Sequence, residues 1–101
     1  MNKLITVAVI DSGIYPHIDF KNRIVAFKDF VNGRKNAYDD CGHGTHVSGI
    51  IAGSGYASHG RIRGICPAAS LAGIKVLDRL GNGRIENVLD ATDWIISHQK
   101  D

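Results

Sequence analysis

The stretch Leu4-Ile5-Thr6-Val7-Ala8-Val9-Ile10 is β-branched and almost continuously apolar, the pattern of a strand buried on both faces of a parallel sheet. It stops at Asp11-Ser12-Gly13. Residues Ile14 to Arg23 read as a loop carrying Pro16, His17 and Asp19, and Ile24 to Val31 alternates partly as a second strand. Asn32 to Asp40 is polar, with Asn32-Gly33 as a turn signal. Val47, Ile50, Ile51 and Ala52 then fall at helical spacing, giving a helix from about His43 to near Gly53, where a left-handed glycine cap is expected. A Gly-rich loop from Ser54 to Ala69 leads into Ser70 to Leu77, a third buried strand. Its Lys75 must snorkel or find a partner. Asp78 to Gly83 is a loop. Beyond it Ile85, Val88, Leu89, Thr92, Ile95 and Ile96 recur at three- and four-residue intervals, and Ala91 and Trp94 widen the stripe into a helix that covers a sheet. His98 and Lys100 suit the negative end of that helix, so His98 is assigned no function. Strand, strand, helix, strand, helix is an α/β order with a parallel sheet.

A chain of 101 residues is one domain or a piece of one. An apolar fraction of 44% argues against disorder, and a net charge of +2 with no basic run leaves no footprint for nucleic acid or a membrane. Cys41 and Cys66 make no disulfide framework and read as free thiols. Met1-Asn2-Lys3 before Leu4 superficially resembles a signal peptide, but the apolar run ends at Asp11 and no small-x-small cleavage site follows. A first strand explains it better, and the compartment stays open.

Two polar residues change this picture. Asp11 stands at the carboxyl end of a buried strand, where open α/β sheets place their chemistry; an Asx-turn with Gly13 is the bland alternative. His43 opens a helix between Gly42 and Gly44, which leave room for a backbone or ligand to approach it. A helix amino terminus disfavours the imidazolium, and a carboxylate fixes the ring's tautomer. Asp11 and His43 therefore make a base and its orienting acid if both face one cleft. Ser12 reads as a turn residue. Asp39 and Asp40 favour the positive start of the His43 helix without a catalytic part.

Around these residues the chain resembles a known family. Val7-Ala8-Val9-Ile10-Asp11-Ser12-Gly13-Ile14 is similar to the Asp segment of subtilisin-like serine proteases, and Gly42-His43-Gly44-Thr45-His46-Val47-Ser48-Gly49 to their His segment. Gly64-Ile65-Cys66-Pro67-Ala68-Ala69 and Leu71 to Leu77 resemble the loop and strand that follow. The resemblance implies the amino-terminal portion of a subtilisin-like α/β domain, residues 1–101, with about three strands and two helices. It makes Asp11 the orienting carboxylate, His43 the general base and acid, and His46 a structural partner. Leu77 would line a substrate subsite, and Gly81-Asn82-Gly83 would be the edge on which a polypeptide substrate adds as a strand. Ile85 and Val88 would contribute to an apolar pocket. Turn chemistry alone is the other reading of residues 81–83.

Departures from the family matter too. No segment resembles the Gly-Thr-Ser-Met-Ala-like nucleophile, and Ser48, Ser54, Ser58 and Ser70 lack its context. The side-chain oxyanion donor is missing as well; Asn82 and Asn87 lie in other matched segments. The chain alone is expected to be inactive, with the carboxyl-terminal part of the domain as its partner. Cys41 beside His43 reads as an inert buried thiol, the alternative being a site that thiol reagents disturb. The loop from Tyr56 to Arg63 stands where many relatives bind calcium, but it offers Ser58, His59, Arg61 and Arg63 and no carboxylate. Asp19 alone matches a ligand position, so no cofactor is expected. Two other classes stay open. His43 and His46 with Asp11 or Asp40 would ligate zinc. A half-sheet with an open edge and an uncovered face would act as a non-catalytic interaction fragment that self-associates.

Overall fold

The structure, a computed structural model, describes residues 5–99; Met1 to Leu4, Lys100 and Asp101, with the readings placed on them, lie outside that range. Three parallel strands form one sheet: β1 (Thr6–Asp11), β2 (Ile24–Asp29) and β3 (Ser70–Lys75), in the spatial order β1-β3-β2. The strand latest in sequence is thus the central one. β1 runs beside it from Thr6↔Ser70 to Asp11↔Lys75, and β2 from Ile24↔Leu71 to Asp29↔Lys75 with a register shift between Ile24 and Ala26. Leu71 to Lys75 are all buried, as a central strand of small and aliphatic residues requires. Gly73 has no room for a side chain, since a Cβ there would sit 2.9 Å from Ile14 and 3.0 Å from Phe27.

The helices α1 (His43–Ala52) and α2 (Ile85–Ser97) lie with separate cores. Val9, Ile14, Phe20, Ala52, Ala69 and Leu71 form the first, with Val47 and Ile51 of α1 packed against it. Ala72, Ile74, Val76 and Ala91 form the second, joined by Trp94 and Ile95 of α2. Leu71 and Ala72 are neighbours that point to opposite faces, so α1 and α2 cover the two sides of the sheet. Each core removes apolar surface from water at about 25 cal/mol per Å². Among the described residues no helix is long and apolar enough to cross a membrane.

The α/β architecture and all five elements agree with the sequence pattern, but several details differ. β1 is not buried on both faces: Thr6, Ala8 and Ile10 are exposed, because β1 is an edge and α2 only partly reaches it. β2 ends at Asp29, not Val31, since the Asp29 carboxylate accepts the N–H groups of Val31, Asn32 and Arg34 and turns the chain. β3 ends at Lys75. Val76 and Leu77 instead donate to the Asp11 carbonyl. Gly53 is an extended cap (φ −62°, ψ 130°), not a left-handed one. Of the α2 stripe, Ala91 is buried and Trp94 and Ile95 are half-buried, while Ile85, Val88, Leu89, Thr92 and Ile96 are exposed. The stripe is wider than the contact that this sheet supplies.

Candidate active site

His43 is the first residue of α1, and Asp11 the last of β1. Their side chains meet: Nδ1 of His43 lies 2.9 Å from each carboxylate oxygen of Asp11. A carboxylate only accepts, so the imidazole proton sits on Nδ1 and Nε2 keeps its lone pair. Asp11 Oδ1 also accepts the Ser12 N–H at 2.7 Å. Its side chain is only 12% exposed, whereas that of His43 is 62% exposed and open to solvent. The hydrogen bond to Asp11 and its charge raise the His43 pKa above the ordinary 6.5; slight burial opposes this, and the Asp39 charge adds to it. The helix amino terminus was expected to favour the neutral ring, but the direct carboxylate contact outweighs it.

The close contact of strand end and helix start depends on glycine. A Cβ on Gly44 would lie 2.1 Å from the Gly13 carbonyl oxygen, and one on Gly13, which has φ +116°, would lie 2.1 Å from the Tyr38 carbonyl oxygen. Gly44 therefore makes room for the Asp11 turn and not for a ligand. Gly42 takes φ +102° with open space around it, and as the helix cap it brings no side chain to the free N–H groups.

Other residues supply those acceptors. Asp39 Oδ1 accepts the N–H groups of Cys41 (3.1 Å) and Gly42 (2.8 Å), and Oδ2 accepts the N–H and hydroxyl of Thr45 at 2.9 and 2.6 Å. Ser12 is no simple turn residue. It is buried, donates its hydroxyl to Asp39 Oδ1 at 2.8 Å and accepts the Gly44 N–H at 2.9 Å. Burial raises the Asp39 pKa, but the hydrogen bonds from Thr45, Gly42 and Ser12 outweigh it and hold the group at about 2. Lys75, fully buried, finds the partner its position demanded. Its ammonium donates to Asp40 Oδ1 (2.6 Å) and to the carbonyls of Ser12 and Leu77 (both 2.7 Å).

The remaining sequence candidates divide. Leu77 joins the site, half-buried, with its N–H 3.2 Å from the Asp11 carbonyl oxygen. It pairs antiparallel with Gly83 across a turn in which Asp78 accepts the N–H groups of Leu80 and Asn82. Gly81, Asn82 and Gly83 are exposed there, so turn chemistry and an open segment coincide. Ile85 and Val88 are exposed at the start of α2. His46 is exposed on α1. Cys41 is exposed, not buried, because its turn wraps outside the Asp39 carboxylate; both cysteines are free. Ser12 is the residue that sequence reasoning missed, while Asp39 was expected at the helix start and Lys75 was expected to find a partner, without either partner being named. An acid three residues before the Gly42 cap, with Thr45 at the third helical position, is the signal that marks Asp39.

Metals fit poorly. Among the described residues no three His, Cys, Asp or Glu side chains gather to hold an ion, and Asp40, one of the two carboxylates named for zinc, is engaged by Lys75. At the calcium position, Asp19 Oδ1 accepts the Ala57 N–H. The nearby carbonyls of Asp19, Ala52 and Ala69 are taken by the Arg23 guanidinium at 2.5–2.6 Å. A cationic side chain there does not fit calcium.

Comparison with known proteins identifies a family. The sequence model described as "Subtilase family" matches residues 2–101. The chain is 46% identical over 99 residues to the "Serine protease AprX" of Bacillus subtilis (strain 168), covering 98% of this chain and 22% of that protein. It is 40% identical over 99 residues to "Subtilisin E" of the same organism, covering 96% and 25%. A cold adapted subtilisin-like serine proteinase of known crystal structure superposes with a TM-score of 0.80 at 35% identity, over 93% of this chain and 32% of that one. The chain thus spans about a fifth to a third of the length of these relatives. With the Asp and His segments joined as described, the chain belongs to the subtilase family, whose matched relatives are serine proteases.

Proposed function

We propose that this chain is the amino-terminal part of a serine endopeptidase domain and contributes the Asp and His of an Asp-His-Ser triad. The observation that carries the reading is the 2.9 Å approach of His43 Nδ1 to Asp11. With Nδ1 so engaged, Nε2 takes the proton of a serine hydroxyl supplied by the rest of the domain as the serine attacks a peptide carbonyl. It then returns that proton to the leaving amine. Asp11 stabilises the imidazolium between those steps. A polypeptide substrate lies along residues 81–83 by main-chain hydrogen bonds, with Leu77, Ile85 and Val88 beside its side chains. Family membership and the exposed stretch after Leu77 support this placement.

In a complete domain containing these residues, His43→Ala should lower kcat/KM for a peptide substrate by about 10²–10⁴-fold or more, the usual contribution of a general acid–base. Full activity in that variant sinks the assignment. The 101-residue chain by itself should hydrolyse nothing. A second reading, a non-catalytic interaction fragment, is favoured by the apolar residues Ile85, Leu89 and Ile96, which are 74%, 61% and 59% exposed along one line of α2.

A further inference from the structure

The start of α1 has no cap of its own, and the residue that closes it is also tied to the Asp11 turn. Three N–H groups at that first turn find side-chain acceptors: those of Gly42, Gly44 and Thr45. Two go to the Asp39 carboxylate, and the third goes to the Ser12 hydroxyl, which itself donates to Asp39. Thr45 closes a second loop of the same network: its hydroxyl donates to Asp39 and accepts the N–H of Tyr15 at 2.8 Å. Asp39 also bridges to Gly13 through an isolated antiparallel pair. A single carboxylate therefore grips both the residue after Asp11 and the two residues flanking the first helical pair at His43 and Gly44.

We infer that Asp39 is a positioning residue for the Asp11–His43 pair: by clamping Ser12 to the first turn of α1, it sets the distance and angle at which the imidazole meets its carboxylate. This rests on the proposed roles of Asp11 and His43 and goes beyond them. The groups that act on the His43 charge are Asp11 at the end of β1 and Asp39 in the loop ahead of α1. Asp39 adds to the field that Asp11 exerts, and it stays ionised across the range in which His43 titrates. Replacing it by asparagine keeps the shape, removes the charge, and turns an NH₂ group toward N–H donors that need an acceptor.

The test is an imidazole NMR titration of the isotopically labelled chain, following the His43 midpoint and the low-field Nδ1–H signal that a carboxylate partner shields from exchange. Asp39→Asn should shift the midpoint to lower pH and weaken or abolish the Nδ1–H signal. Asp29→Asn is the comparison: it strips a carboxylate with as many local bonds, to Val31, Asn32, Arg34 and Tyr38, but with none to the Asp11 turn or α1. It should cost stability and leave both His43 readouts in place. An Asp39→Asn variant that is less stable yet titrates like the parent would overturn the inference, since Asp39 would then only cap a helix. If that variant does not fold, Ser12→Ala reads the same clamp with the charge retained. A smaller shift in the same direction supports the inference, and unchanged His43 signals defeat it. Asp11→Asn separates the two levels. Should it leave the His43 midpoint unmoved, the pair itself is refuted; should it lower the midpoint while Asp39→Asn does not, only the clamp fails.

Discussion

At His43 two pH effects run in opposite directions. The Asp11 contact raises its pKa above 6.5, so the folded chain holds this proton more tightly than the unfolded chain does. The stability gained is fully present below the ordinary histidine pKa and is lost as pH rises through the raised value. A proton acceptor needs the neutral ring, so hydrolysis by a complete domain should climb over the same interval. Urea unfolding of the chain from pH 6 to 9 should show the decline, and Asp11→Asn should flatten it. Asp39 behaves inversely: its pKa of about 2 gives stability present above 3.8 that disappears as pH falls toward 2. Lys75 is a different kind of residue, a buried cation whose three donors are all satisfied. Lys75→Met keeps the stem and orphans the carbonyls of Ser12 and Leu77, so urea denaturation should show a loss of about 3 kcal/mol.

Elements are held together here by side chains that reach across large sequence distances. Arg23 joins the loop before β2, the end of α1 and the start of β3 through three carbonyl oxygens. Arg23→Ala leaves the Ala52 carbonyl without that donor in a buried place and should cost about 2–3 kcal/mol, read as a lower midpoint in thermal or urea melts. The contrast between what was legible and what was not follows from this. Runs such as Val7 to Ile10 and Leu71 to Val76 announce strands because their side-chain pattern is local. Asp11 and His43 were legible because strand-end acid and helix-start imidazole are each marked in their own segment. Ser12 bonds Asp39 across 27 positions and Lys75 bonds Asp40 across 35, so nothing near either residue names its partner. The limits of α2 burial were hidden for a related reason: periodicity reports an apolar stripe, but not how much of it a neighbour covers.

For the whole molecule, the uncovered surfaces are the feature with consequences. β1 and β2 are both sheet edges, and α2 turns Leu89 and Ile96 outward. We propose that this surface meets the rest of the protease domain and that the chain alone pairs with itself. Sedimentation should show oligomers that grow with concentration, and Leu89→Lys should shift the distribution toward monomer. A compact monomer at high concentration would count against it.

The central place of β3 also dictates an order of assembly. β1 and β2 do not pair with each other; each finds its ladder partner in residues Ser70 to Lys75. Until the chain has been made that far, neither early strand has a ladder to join, and the loops to be closed are long ones, which is the topology of slow folding. On a ribosome the sheet would therefore stay unformed while Asp11 and His43 had both already emerged. A nascent chain of this kind carries Asp11 and His43 on elements that still lack the central strand of their sheet.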